Sequence, residues 1–67
     1  MGKLYCVWYY EGDQPCDVVA EEPTLEAAEA ALARVAMEEW GIAVVPGSRE
    51  FADMGNGLAL AVKEVEL

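Results

Sequence analysis

Sixty-seven residues are enough for one domain with a small core, since a chain of this size buries only about 60% of its unfolded surface. Thirteen Asp and Glu against four Lys and Arg, with no histidine, give a net charge of −9. That balance argues against direct binding to DNA, RNA or an anionic membrane, whose affinity comes mostly from protein cations, and it favours a basic partner.

The chain opens on LYCVWYY, Leu4 to Tyr10, a run without charge. Residues 3–10 read as a strand and 16–22 as its hairpin partner, since Cys16, Val18 and Ala20 alternate with Asp17, Val19 and Glu21. Gly12, Asp13 and Pro15 supply turn chemistry. With a loop of Glu11 to Pro15, Tyr10 faces Cys16 and Cys6 faces Ala20, so the cysteines share a face but are out of register. A bridge needs Cα atoms within about 7 Å, so both are expected as free, buried thiols. In this register Leu4, Cys6, Trp8 and Tyr10 join Cys16, Val18 and Ala20 as the core face. Lys3, Tyr5, Val7 and Tyr9 then lie opposite Asp17, Val19 and Glu21 on an open face. Tyrosine beside carboxylate is the make-up of a protein-binding surface, because the ring offers apolar area with a polar tip.

Thr24 reads as a helix N-cap, with Glu26 favourably placed at the positive end of the dipole. From Leu25 to Trp40 the chain is alanine-rich and unbroken. Leu25, Ala28, Leu32, Val35 and Ala36 recur at helical spacing, with Glu39 and Trp40 at the end, so one stripe faces a core. Gly41 predicts a left-handed cap. Ile42 to Val45 reads as a short strand closed by Pro46-Gly47, and residues 48–54 as its extension after a break. Gly55-Asn56-Gly57 is a hairpin-type turn, and Leu58 to Leu67 the last strand. The sum is ββαββ: one α+β domain over residues 1–67, an antiparallel sheet with a helix on one face. Strand order and the structure of residues 46–57 are left open by the pattern.

No equipment for catalysis or cofactor binding is recognisable. A metal site needs clustered ligands, and here histidine is absent and the cysteines lie ten apart. Ser48 and the cysteines lack a histidine base, and Gly55-Asn56-Gly57 is too short for a phosphate cradle. A non-enzymatic protein without cofactor or metal is expected. No stretch has a signal-peptide layout or the length to span a membrane, which predicts a cytoplasmic protein. Gly2 begins like a myristoylation site, but Cys6 stands where that motif requires Ser or Thr.

The acids occur on every element, and Arg34 offers local compensation to Glu38 one turn on. For a compact chain roughly 28 Å across, nine net charges correspond to about one per 3 Å, close to the roughly 3.4 Å per charge of a single DNA strand. A tiny, acidic ββαββ domain without catalytic motifs resembles the small anti-restriction and anti-CRISPR proteins of bacteriophages, in which carboxylates stand where a nuclease complex expects phosphates. The resemblance covers the whole chain through size and charge and assigns no residue roles. It implies an inhibitory DNA mimic acting in the host cytoplasm on a basic nucleic-acid-binding protein or complex, for example a CRISPR effector. Candidate contact residues from the strand pattern and charge are Tyr5, Tyr9, Asp17 and Glu21 on the sheet, with Glu26 and Glu29 on the opposite, helical side. A second reading is an assembly module that forms a homodimer, or a subunit contact, through an open sheet face or edge. The step from strand two into Thr24-Leu25-Glu26-Ala27-Ala28 also resembles HicB-type antitoxins, although their DNA-binding segment is missing here.

Overall fold

The structure, a computed structural model, describes residues 2–53, 55 and 57–67. These form β1 (Lys3–Glu11), β2 (Gln14–Glu22), α1 (Leu25–Trp40), β3 (Glu50–Asp53) and β4 (Leu58–Glu66). The sheet is antiparallel with order β2-β1-β4-β3, so the first and last strands of the ββαββ chain pair at its centre. α1 lies across one face only, against β1, β2 and β4.

Local chemistry starts and stops the helix as its sequence predicts. Thr24 is extended, and its Oγ1 accepts from the Ala27 amide at 3.1 Å, satisfying a donor that has no partner within the helix. Gly41, at φ +66°, closes the other end. There the Gly41 amide donates to the Met37 carbonyl at 2.9 Å and the Ile42 amide to that of Ala36 at 3.2 Å, the pairing of a left-handed glycine cap. That cap is why Ile42 to Val45 is not the expected strand. Ile42 donates back into the helix, and the Val45 carbonyl accepts from the Ser48 amide and hydroxyl at 3.2 and 2.6 Å. Of the β-branched residues Val44 packs against the core, while Val45 is exposed. The third strand falls at Glu50–Asp53. The Gly57 amide, at 2.9 Å from the Asp53 carbonyl, closes its hairpin. Asn56 of the expected turn lies outside the described residues.

The core settles which face of β1 is inside, and it is the face expected to be open. Val7, Leu32 and Leu60 are fully buried, with Ala28, Ala31, Val35 and Ala36 of the helix around them, while Tyr5, Tyr9, Ala20, Phe51 and Val62 close the flanks. Alternation then sends Leu4, Cys6, Trp8 and Tyr10 to the uncovered side. The reason is size. A helix surfaced with alanines approaches the sheet closely, and a valine fits beneath it where Trp8 would not. The tyrosines on either side of Val7 extend their hydroxyls past the helix, Tyr5 donating to Glu64 Oε1 at 3.3 Å and Tyr9 to Glu11 Oε1 at 3.2 Å.

The hairpin register departs from expectation for a second reason. A two-residue turn, Gly12-Asp13, joins the strands, and Gly12 has the positive φ, +60°, of a II′-type first turn position. From there β2 carries two irregularities. Tyr10 lies opposite Pro15 but Tyr9 opposite Asp17, and Trp8 lies opposite Val18 but Val7 opposite Ala20. Each skipped residue, Cys16 and Val19, is an extra residue of a β-bulge. Cys6 therefore pairs with Glu21 rather than Ala20, and Cys16 is exposed rather than core.

Leu60→Ala should cost about 2–5 kcal/mol, comparable to the whole stability of a chain this size, about 3–10 kcal/mol at the usual per-residue value. Trp8→Ala should cost less than half as much. Urea unfolding of both variants in dilute solution checks this, and the reverse order would mean that the helix covers the other face of β1.

Candidate functional site

The uncovered face is laid out by register in rows across the sheet, because directly opposed residues share a face. Leu4 stands beside Val65. The next row is Glu21, Cys6 and Lys63, followed by Val18, Trp8, Ala61 and Glu50, and then by Pro15, Tyr10, Ala59 and Ala52. Large side chains are concentrated on β1 and alanines on β3 and β4. Beside the aromatic ridge of Trp8 and Tyr10 is a trough of about 310 Å³ lined by Tyr10, Ala52, Ala59 and Ala61, with Asp13, Glu50 and Lys63 also on its wall. Principal extents of 40 × 24 × 15 Å describe a slab, on whose helix-free side Leu4, Trp8 and Tyr10 are partly exposed and Cys6 is buried.

Charge follows the opposite distribution. Of thirteen carboxylates only Asp13, Glu21 and Glu50 border the uncovered face, and of four cations only Lys63. One minus three is −2 there, which leaves −7 of the total −9 for the helical side and the edges. The other three cations are in ion pairs: Lys3 with Glu64 at 3.4 Å, Arg34 with Glu38 at 3.7 Å and Arg49 with Glu29 at 3.1 Å. From residue 4 to residue 33 there are seven acids and no Lys or Arg. That stretch contains the edge strand β2 and the start of α1, so the carboxylates of Asp17, Glu21, Glu22 and Glu26 form an acidic border without a cation of its own. The bulge at Val18-Val19 shapes it. In a regular strand residues 17 and 21 share a face, whereas here Asp17 lies opposite Tyr9 on the helical side and Glu21 opposite Cys6 on the uncovered one. The border projects carboxylates from both faces of its edge.

The expected contact residues divide accordingly. Tyr5 and Tyr9 are half-buried core flanks on the helical side, and Tyr9 stacks on Trp40 with ring centroids 5.8 Å apart. Asp17 shares their side and Glu21 does not, so the four do not form one surface. Glu26 is exposed in the first helical turn. The Glu29 side chain is only 16% exposed and is held by Arg49, which removes it as a free contact. Asp17 and Glu26 lie on the same side of the sheet, not on opposite sides. Trp8, Tyr10, Ala59 and Ala61 were assigned to no surface by the strand pattern, although the alternation of Leu58, Leu60 and Val62 with Ala59 and Ala61 already marks a bulky and a small face of β4.

Burial pushes the Cys6 thiol above its ordinary pKa, and the Glu21 carboxylate, 4.0 Å from the sulfur, adds to the rise. The Tyr9 hydroxyl is raised by burial first, then by the charge of Glu11 and the hydrogen bond to it, with a smaller contribution from Cys16. Among the described residues no three His, Cys, Asp or Glu gather as metal ligands, and no helix is long and apolar enough to cross a membrane. In comparisons with known proteins, no family model, curated protein or solved structure matches this chain. Geometry and charge are the basis for reading its function.

Both thiols are free, Cys6 buried and Cys16 exposed. At neutral pH the folded protein should react with an aromatic disulfide reagent rapidly at Cys16 and slowly at Cys6, since the thiolate is the attacking species and burial disfavours it. Unfolding without reductant should release two equally reactive groups per chain. Equal native rates would place Cys6 in solvent and overturn its position between Glu21 and Lys63.

Proposed function

We propose that this chain is a non-enzymatic inhibitory protein whose acidic border occupies a basic, nucleic-acid-binding surface of a partner protein. The observation that carries the reading is the segregation of charge: the β2 edge and the first turn of α1 present Asp17, Glu21, Glu22 and Glu26 with no cation among residues 4–33. A surface of one sign raises encounter rates with a basic groove and opposes association with nucleic acid itself. Two bulges and Pro15 keep this edge from adding a further strand, so its side chains rather than its backbone are available for contact. The expected anti-CRISPR-like DNA mimicry is retained in this form, with the contact moved from the tyrosines to the strand edge and the helix start. The compartment in which it acts is that of its partner, which for a phage-encoded inhibitor is the host cytoplasm.

The test is competition. A protein captured from a bacterial lysate by the immobilised chain is identified and purified, and displacement of a labelled duplex oligonucleotide from it is measured at near-physiological salt. Two double charge reversals are compared, Asp17→Lys with Glu22→Lys on the edge and Glu38→Lys with Glu66→Lys, on the outer helix face and the end of β4. Each moves the net charge from −9 to −5, since every reversal adds two. The edge variant should lose about tenfold or more in displacement, equivalent to about 1.4 kcal/mol, while the second variant should keep most of it. Equal losses would show that only total charge matters, and a captured protein without nucleic-acid affinity would refute the reading.

A further inference from the structure

We infer that the uncovered sheet face is an isologous interface between two copies of this chain, giving a four-layer helix–sheet–sheet–helix particle. The inference concerns a surface that meets the acidic border only at Glu21, and it does not depend on what Asp17, Glu22 and Glu26 bind.

Four observations converge on a second copy as the occupant. The first is composition: Leu4, Trp8, Tyr10, Val18 and Val65 give this face partly exposed apolar area, crossed by the row in which Glu21 and Lys63 flank the buried Cys6. Aromatic residues with few charges are the mark of an interface core. The second is relief. A two-fold contact must be self-complementary, and this face has both parts of such a fit, the Trp8–Tyr10 ridge on β1 and the 310 Å³ trough floored by Ala59 and Ala61. Each copy's ridge then fills the other's trough.

The third observation is charge. Two copies at −9 each would repel if their charge were evenly spread, but −7 of it lies on the helical side and the edges. Pairing through the sheets keeps those charges on the outside of the particle. On the face itself Lys63 is the cation without an ion pair among those described, and Glu21 and Glu50 offer carboxylates to it across the two-fold. The fourth is size. An outline of 40 × 24 Å has room for the roughly 800 Å² per partner that a standard interface buries. Edge-to-edge pairing is the less favourable route to a dimer, because β2 is bulged and acidic and β3 has only four residues.

Sedimentation equilibrium on the full chain, in the micromolar range, tests the inference. The expected mass is twice 7.3 kDa. The dimer should tighten as NaCl is raised, because salt screens the repulsion between the outer carboxylates and leaves the apolar contact in place. Ala61→Arg fills the trough, and it also lowers the net negative charge, so its loss of dimer cannot be attributed to added repulsion. Trp8→Ser removes the ridge. Both variants should sediment as folded monomers, with far-UV circular dichroism unchanged. A wild-type monomer throughout that concentration range at low and high salt would overturn the interface. So would a dimer that survives both substitutions, since it would have to use another surface.

Discussion

The close seat of an alanine-surfaced helix on the sheet determines the rest of this structure. Ala28, Ala31 and Ala36 are essentially without solvent contact, and beneath them lie Val7 and Leu60 from the two central strands. A helix this close excludes bulky side chains from the centre of the covered face. It admits tyrosines only at the flanks, where their hydroxyls reach Glu64 and Glu11. Trp8 and Tyr10 are therefore displaced to the other side by exclusion, not by any affinity for water. Among the described residues there is no second helix to cover them. The aromatic face is thus a consequence of how the core is packed.

The same strand pairing shapes the acidic surface. Without bulges, β2 would hold Asp17 and Glu21 on one face in line with the aromatics. With them, the strand twists more strongly and the carboxylates straddle the edge, Asp17 and Glu22 on the helical side and Glu21 on the bare one. A bulged, negatively charged edge does not pair readily with another strand. It also keeps most of the carboxylates off the apolar face. Of the two features proposed as functional, the border thus originates in the irregular second strand and the face in the close seat of the helix.

Much of the fold was legible in the sequence, because its signals are local. Thr24, the alanine-rich stretch and Gly41 fixed the helix to the residue, and alternation located β1, β2 and β4. What was not legible depended on parity. One skipped residue reverses which face a side chain occupies, and β2 skips two, Cys16 and Val19, neither of which carries a turn or glycine signal. The hairpin register was therefore correct only around Trp8 and Tyr9. The inside–outside reversal of Tyr5, Tyr9 and Trp8 has a separate cause, the face of β1 that the alanine-rich helix covers. Ile42 to Val45 misled for another reason: β-branched residues suit a strand, but the Ile42 amide is engaged in the helix cap and the Val45 carbonyl by Ser48. Of the candidate contact residues, Asp17, Glu21 and Glu26 remain exposed. Glu29 does not, because its ion pair with Arg49, twenty residues away, is a tertiary contact invisible to local pattern.

Border and face respond to ionic strength with opposite signs, and this ties the two proposals together physically. Salt weakens contact between the acidic border and a basic groove by screening the attraction, and it strengthens self-association by screening the repulsion between copies. Near physiological ionic strength the screening length is about 8 Å, shorter than the 24 Å width of the slab. Charges at the rim of one copy are then largely hidden from the far rim of the other, while those within a few ångströms of a partner still act in full. The apolar face can close under those conditions without neutralising the border. A dimer formed this way carries two acidic borders at a separation fixed by its two-fold axis. Binding to a partner with a repeated or symmetric basic surface then gains from effective concentration, and gains nothing where the spacing does not match. Selectivity would lie in that spacing, since carboxylates alone do not distinguish one basic groove from another.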